Sequence, residues 1–197
     1  MPETLKRILL TILVVIVAAF LVNYNFFWFQ LKSLFQSRAV VYQQSNSNFF
    51  PARQKEPNML EIESLNIRVP IIYTDQAGEK VFQEALKNGV AHYPGTAKPG
   101  EPGNCYIFGH SSDFIWSQGS YKTVFASLPK IQKGDKIVVS NEKGEPFAYI
   151  ATETAISSPD DVRFLDQGDY KKKILTLQTS YPVGTALKRF IVIAEIK

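Results

Sequence analysis

The residues best suited to chemistry in this chain are a serine, a histidine and an arginine at the ends of predicted strands. Ser180 ends an apolar run just before a loop that starts at Tyr181, and Arg189 follows nine residues after the serine. His110 follows Gly109 at the end of another run. A hydroxyl can attack a carbonyl, an imidazole exchanges protons near neutral pH, and a fixed guanidinium can hold a developing oxyanion. Acyl transfer from a peptide requires this combination of groups.

Each of these residues also has an ordinary structural explanation when it is considered alone. A serine at a strand end is usually a turn residue, a lone histidine is more often structural, and an arginine on a strand is usually solvated. The catalytic hypothesis therefore requires that the three positions meet in the fold.

Two predicted strands near the C-terminus must position Ser180 and Arg189. Side chains alternate faces along a strand, so the even-numbered residues of strand 174–180, Ser180 included, share one face. Arg189 begins the predicted strand 189–196, and in a hairpin the two positions can be close in space. We predict that these two residues and His110 converge on one groove at the rim of a barrel.

The region that contains these strands reads as short strands separated by turn residues, which is typical of a β-barrel or a sandwich. The predicted strands are 59–62, 67–73, 105–108, 136–140, 146–156, 174–180 and 189–196. We predict a short helix at 79–88 that ends at Gly89, a second short helix at 121–128, and irregular chain at 165–170.

Composition argues against several classes of site. The chain has 197 residues, of which 45% are apolar and 20% charged, as is typical of a globular protein. Its net charge is +4 and its lysines are scattered apart from 171–173, so nucleic-acid binding is not expected. Cys105 is the single cysteine, so no internal disulfide can form, and with two histidines, His92 and His110, no metal site is expected. We interpret Cys105 as a buried core thiol.

The N-terminal residues contain an apolar run that we interpret as a membrane anchor. Residues 8–29 are apolar except at Thr11 and at 23–25, and 22 residues of helix extend roughly 33 Å, enough for a hydrocarbon core of about 30 Å. A cleaved signal peptide would need a better cleavage site, and a buried helix would show a polar face. We predict a cytoplasmic tail at 1–7, a transmembrane anchor at 8–29 and a linker at 30–57.

The strings around the candidate residues resemble those of the sortases. One string matches the sortase signature across fourteen residues apart from the nucleophile, which is cysteine in the family: Thr176-Leu177-Gln178-Thr179-Ser180-Tyr181-Pro182-Val183-Gly184, followed by Arg189. Segments 90–96 and 99–104, before the histidine strand, and the turn at 134–135 are also similar to sortase sequences. The resemblance covers nearly all of residues 58–197.

This resemblance implies a closed eight-stranded β-barrel with short helices as the catalytic domain at 58–197, preceded by one N-terminal transmembrane helix. It implies a single-pass membrane enzyme whose C-terminal domain lies outside the cytoplasm. Such a transpeptidase cleaves a C-terminal sorting motif of secreted proteins and transfers the acyl group to an amine of the cell wall or of a pilin subunit. By position, His110 would be the acid/base, Ser180 the nucleophile and Arg189 the clamp for the oxyanion or substrate. No cofactor is implied.

The serine changes the chemistry that this resemblance implies. A thiolate is strongly nucleophilic, whereas a serine hydroxyl needs a base that is usually oriented by a third group. Asp113 lies three residues beyond His110, but the sequence does not show whether it reaches the ring. Three explanations of Ser180 stay open: an engineered substitution that traps substrate, an inactive relative that still binds sorting peptides, and an active serine enzyme. A non-catalytic peptide-binding or assembly module is therefore the alternative function, and an anchored β-domain with a purely structural role is the third.

Overall fold

Eight short strands close into a barrel in the C-terminal part of the chain. The computed structural model describes residues 2–22, 56–113, 117–168 and 171–196. The strands are β1 (Met59–Ile62), β2 (Ile67–Tyr73), β3 (Val90–His92), β4 (Gly103–Phe108), β5 (Lys136–Ser140), β6 (Pro146–Ser157), β7 (Lys173–Tyr181) and β8 (Lys188–Glu195). They are neighbours in the order β1-β2-β3-β4-β7-β8-β6-β5, and β5 closes the barrel on β1. The prediction of a closed eight-stranded barrel is confirmed.

Alternation along the central strands separates an apolar interior from an outer face. Leu175 and Leu177 of β7 are fully buried in one cluster with Ile107 of β4 and Val192 of β8. Side chains of a strand alternate between its faces, so Gln178 and Ser180, both half-buried, point to the outer side of the barrel. The apolar core thereby decides which residues of β7 can meet a substrate.

One local prediction is wrong, and one strand was missed. The predicted helix 121–128 is a series of turns that leads into a 3-10 helix at Leu128–Lys130. Phe125 and Leu128 are buried in the barrel core, which explains the apolar pattern, and the Phe125 N–H donates to the carbonyl of His110 instead of to its own segment. Strand β3 was not predicted, because three residues are too short to show a period. It pairs in parallel with β2 and antiparallel with β4.

The predicted helix at 79–88 is confirmed as α2 (Glu79–Asn88), between β2 and β3, and it ends at Gly89 as predicted. The reason for this glycine is close packing. Its backbone is extended, with φ of 170°, and a Cβ there would lie 2.2 Å from the carbonyl oxygen of Pro70.

The predicted transmembrane anchor is not supported. Helix α1 (Glu3–Val22) starts inside the predicted tail 1–7, and residues 23–29 of the predicted span lie outside the described residues. Within the described ranges, we find no helix that is both long and apolar enough to cross a membrane. The predicted linker 30–57 also lies outside the described residues up to residue 55.

Gly109 follows β4 and packs closely against core residues, directly before the candidate histidine. A Cβ at this position would lie 2.8 Å from the Phe125 ring and 2.8 Å from a Val90 methyl group, and both neighbours are fully buried. The Gly109 N–H donates to the carbonyl of Gln178 at 3.1 Å. A side chain at position 109 would therefore have to displace either core residues or the end of β4.

We expect Gly109→Ala to lower the free energy of unfolding by about 1–3 kcal/mol, because the methyl group overpacks a core that has no room for it. Gly78→Ala is the matched control, since the nearest atom to its Cβ would be a Val81 methyl at 4.0 Å. Urea unfolding of both variants measures the difference. Equal stability of the two variants would contradict the packing argument.

Candidate active site

Ser180 and Arg189 face each other across the hairpin that closes the chain. They are direct register partners of β7 and β8, and Arg189 is also the register partner of Ser157 on β6. Paired residues of antiparallel strands present their side chains on the same face, with Cβ atoms roughly 5 Å apart. The three side chains therefore form one row across the outer face, at the end of β7.

His110 is brought beside this row by the parallel pairing of β4 with β7. The register runs up to Phe108 opposite Gln178. Hydrogen bonds continue it by one residue: Gly109 N–H donates to the Gln178 carbonyl at 3.1 Å, and the Thr179 hydroxyl donates to the Gly109 carbonyl at 2.8 Å. The residues that follow this last pair are His110, after β4, and Ser180, in β7. The structure thus brings the three candidate positions together, while their catalytic roles stay a prediction.

The environment of the His110 ring favours its neutral form. Burial lowers the pKa of His110, and the carboxylates of Asp113 and Glu79 act against this shift by favouring the charged form. The nearest oxygen of Asp113, Oδ2, lies 4.0 Å from Nε2 of the ring, beyond hydrogen-bond distance. A neutral imidazole at neutral pH can accept a proton from an attacking hydroxyl.

The Arg189 side chain is hydrogen-bonded to backbone carbonyls that lie just before it in the chain. Its Nη1 donates to the carbonyls of Ala186 and Lys188, each at 3.2 Å. Both contacts use the same nitrogen, so among the described residues the N–H groups of Nε and Nη2 have no hydrogen-bond acceptor. A guanidinium fixed in this way can bind a carbonyl or oxyanion with its remaining donors.

Aromatic and amide side chains that the sequence analysis missed line the outer face beside the row. The Tyr106 hydroxyl donates to Oε1 of Gln178, and the Tyr106 ring packs edge-on against Tyr93 at 6.0 Å. Burial raises the pKa of Tyr106, and the nearby charge of Arg189 opposes that rise. The signal was available in β4, because 105 and 107 belong to the core and alternation places residues 106 and 108 on the outer face.

The segment between β6 and β7 is fastened beside this face by a buried amide. The Asn104 side chain donates to the carbonyls of Phe164 and Asp166, at 2.8 and 3.2 Å, and accepts from the Thr176 hydroxyl at 2.8 Å. Gln167 strengthens the attachment, because its Oε1 accepts from the Asn104 N–H at 3.2 Å. This attachment fixes the position of the segment against β4 and β7.

The loop between β7 and β8 is fastened to the histidine side of the site. The Gly184 N–H donates to the hydroxyl of Ser112 at 3.1 Å, two residues after His110. This contact also was not predicted, since serine in a loop carries no periodic signal.

Cys105 takes no part in the site. Its side chain is 1% exposed and packs in the core, on the opposite face of β4 from Tyr106. Burial raises the pKa of its thiol, which disfavours the nucleophilic thiolate. The prediction of a core thiol is confirmed.

Comparisons with known proteins agree with this arrangement. The family model described as a sortase domain matches residues 60–197. The chain is 30% identical over 151 residues to sortase D of Bacillus subtilis (strain 168), which covers 75% of this chain and 67% of the relative. Among solved structures, it is similar to a sortase D5 transpeptidase of Clostridium perfringens, with a TM-score of 0.57 and 28% identity over 71% of this chain and 77% of the other.

A second solved structure, sortase C-1 of Actinomyces oris, has a TM-score of 0.60 and 24% identity over 71% of this chain and 72% of the other, and at that identity it shows the fold. Together with the family match over most of the chain, the barrel and the strand-end site lead to one conclusion: the chain belongs to the sortase family of transpeptidases.

Proposed function

We propose that this chain cleaves a C-terminal sorting motif of secreted proteins at Ser180 and transfers the acyl group to an amine of the cell wall or of a pilin subunit. The observation that carries the proposal is the direct pairing of Ser180 with Arg189. His110 lies beside this pair, directly after the last hydrogen bonds between the β4 and β7 segments. The sortase domain match across the same residues supports the reaction class.

The proposed reaction has two halves that use the same three residues. In the first half, Oγ of Ser180 bonds to the scissile carbonyl carbon while His110 takes the hydroxyl proton, and Arg189 stabilises the oxyanion. The C–N bond then breaks and His110 returns the proton to the leaving amine, which leaves an acyl ester on Ser180. In the second half, an acceptor amine attacks this ester, loses a proton to His110 and releases Ser180 with its hydrogen restored.

We expect turnover of suitable peptides by the unmodified chain, and its loss in three variants. Ser180→Ala removes the attacking atom, His110→Ala lowers kcat by about 10²–10⁴-fold, and Arg189→Ala lowers it by about 10²–10³-fold. The measurement is cleavage of a panel of fluorogenic peptides with different core sequences, with and without an added primary amine. Mass spectrometry identifies the amide product.

Arg163→Ala is the matched control for Arg189→Ala, because the Arg163 side chain is 83% exposed and pairs with Asp161 in the neighbouring segment. It should leave turnover unchanged. Thermal unfolding verifies that each variant is folded. Turnover that survives Ser180→Ala would refute the assignment of this site. Peptide binding without any acyl-enzyme would show that the site serves as a binding module instead.

We further propose that the chain is held at the cell membrane by residues 8–29, with its C-terminal domain outside the cytoplasm. The support is the sequence, in which the apolar run starts within α1 and continues to Phe29. Lys6 and Arg7 precede the run and Lys32 and Arg38 follow it, so the charge distribution hardly discriminates between the two orientations.

Protease treatment of intact cells that express the full chain tests this localisation. We expect the domain to sediment with membranes and to be digested from outside the cell, because an extracytoplasmic domain is accessible to added protease. A cytoplasmic marker protein serves as the control for cell integrity. Digestion only after lysis, or recovery of the chain in the soluble fraction, would contradict this proposal.

A further inference from the structure

We propose that Asp113 is the positioning carboxylate of His110, so that Ser180, His110 and Asp113 act as a serine-type triad where the family uses a cysteine. This inference rests on the proposed function, because it concerns how the same site activates its nucleophile. It explains how a serine can be used at a position where the family's cysteine would ionise without such help.

The distance and burial of the pair suit this role. Oδ2 of Asp113 lies 4.0 Å from Nε2 of His110, and both side chains are 20% exposed. A hydrogen bond of about 2.8 Å between such groups requires a closure of about 1 Å. Catalytic hydrogen bonds are often long in structures without substrate and tighten when substrate binds. The limited exposure of both groups reduces the screening of their attraction by water.

Each partner is also held by a separate contact. The Ser117 hydroxyl donates to Oδ1 of Asp113 at 2.9 Å, so the carboxylate uses its other oxygen, Oδ2, towards the ring. The carbonyl of His110 accepts from the Phe125 N–H at 2.9 Å, which ties the histidine backbone to a core residue. The fold therefore holds both the Asp113 carboxylate and the His110 backbone in position.

The arrangement decides which nitrogen of the ring acts as the base. A carboxylate beside Nε2 favours the tautomer with its proton on Nε2, which leaves the lone pair of Nδ1 as the acceptor. When Oγ of Ser180 bonds to a carbonyl carbon, its proton moves to Nδ1, and Asp113 stabilises the imidazolium that forms. A cysteine would need less of this support, because it transfers its proton before the attack.

A fluorophosphonate probe tests the triad without knowledge of the sorting motif. Oγ of an activated serine bonds to phosphorus, fluoride leaves, and the serine proton goes to His110. We expect the full chain to be labelled at Ser180, as shown by intact mass and peptide mapping, and Ser180→Ala to give no label. Asp113→Asn should slow labelling by about ten-fold or more, since an amide stabilises neither the tautomer nor the imidazolium.

Glu79→Gln is the matched control, because Glu79 also acts on the charge of His110, though more weakly than Asp113. It should label at the rate of the unmodified chain. The pH dependence of labelling is a second measurement, which a purely structural role of Asp113 would not change. Asp113 favours the charged ring, so its loss lowers the pKa of His110 further and moves the midpoint of the labelling profile to lower pH.

The Ser180→Cys background separates positioning from folding. There, Asp113→Asn should change alkylation by iodoacetamide little, because the thiolate needs no orienting carboxylate. The triad is overturned if Asp113→Asn leaves serine labelling unchanged, if it slows both nucleophiles equally, or if Ser180 takes no label. Labelling that depends on Asp113 without peptide turnover would uphold the triad and reject the transpeptidase. Peptide turnover at the same rate in Asp113→Asn as in the unmodified chain would reject the triad and uphold the transpeptidase.

Discussion

The parallel pairing of β4 with β7 is the interaction on which the candidate site depends. His110 and Ser180 belong to segments separated by 70 residues, and six consecutive register pairs align those segments from Gly103 opposite Lys173 to Phe108 opposite Gln178. Parallel strands cannot be joined by a tight turn, so this pairing requires the long excursion through β5 and β6. Closure of the barrel then covers both flanks of the pair, since β3 lies beside β4 and β8 beside β7.

Desolvation organises the chemistry around that pairing. It favours the neutral form of His110, Tyr106 and Cys105, lowering the pKa of the imidazole and raising those of the phenol and the thiol. Arg189 adds a guanidinium, a group that does not lose its proton in proteins. The candidate site therefore combines a neutral imidazole with a guanidinium, which is the pairing that attack by a neutral hydroxyl requires.

Serine and cysteine make different demands on the same frame. A cysteine site needs an imidazolium and a thiolate side by side, and the rest of the barrel has only to hold them. A serine site needs a neutral ring with a defined tautomer at the moment of attack. The features that matter for serine lie just after β4, where Gly109 approaches the core, Phe125 ties the histidine backbone and Ser117 holds Asp113.

The sequence by itself determined seven of the eight strands, most of their bounds and the three candidate residues. β5 was predicted to the residue, and β7 and β8 to within about a residue at each end, because apolar alternation and turn residues act over short distances. The pairing of Ser180 with Arg189 could also be anticipated, since a hairpin is a local structure. The short β3 and the turns at 121–128 were beyond such reasoning, because buried residues there serve the core of the barrel and not a local period.

Only the tertiary structure decided what surrounds those residues. Sequence spacing could not show that Asp113 lies 4.0 Å from the His110 ring, that Gln167 and Asn104 fasten the segment before β7, or that Ser112 holds the loop after it. These contacts join residues through the parallel register and through loops, neither of which leaves a periodic signal in the chain. The physical reason is that alternation reports which face a side chain occupies, whereas the neighbours on that face are chosen by the pairing of distant strands.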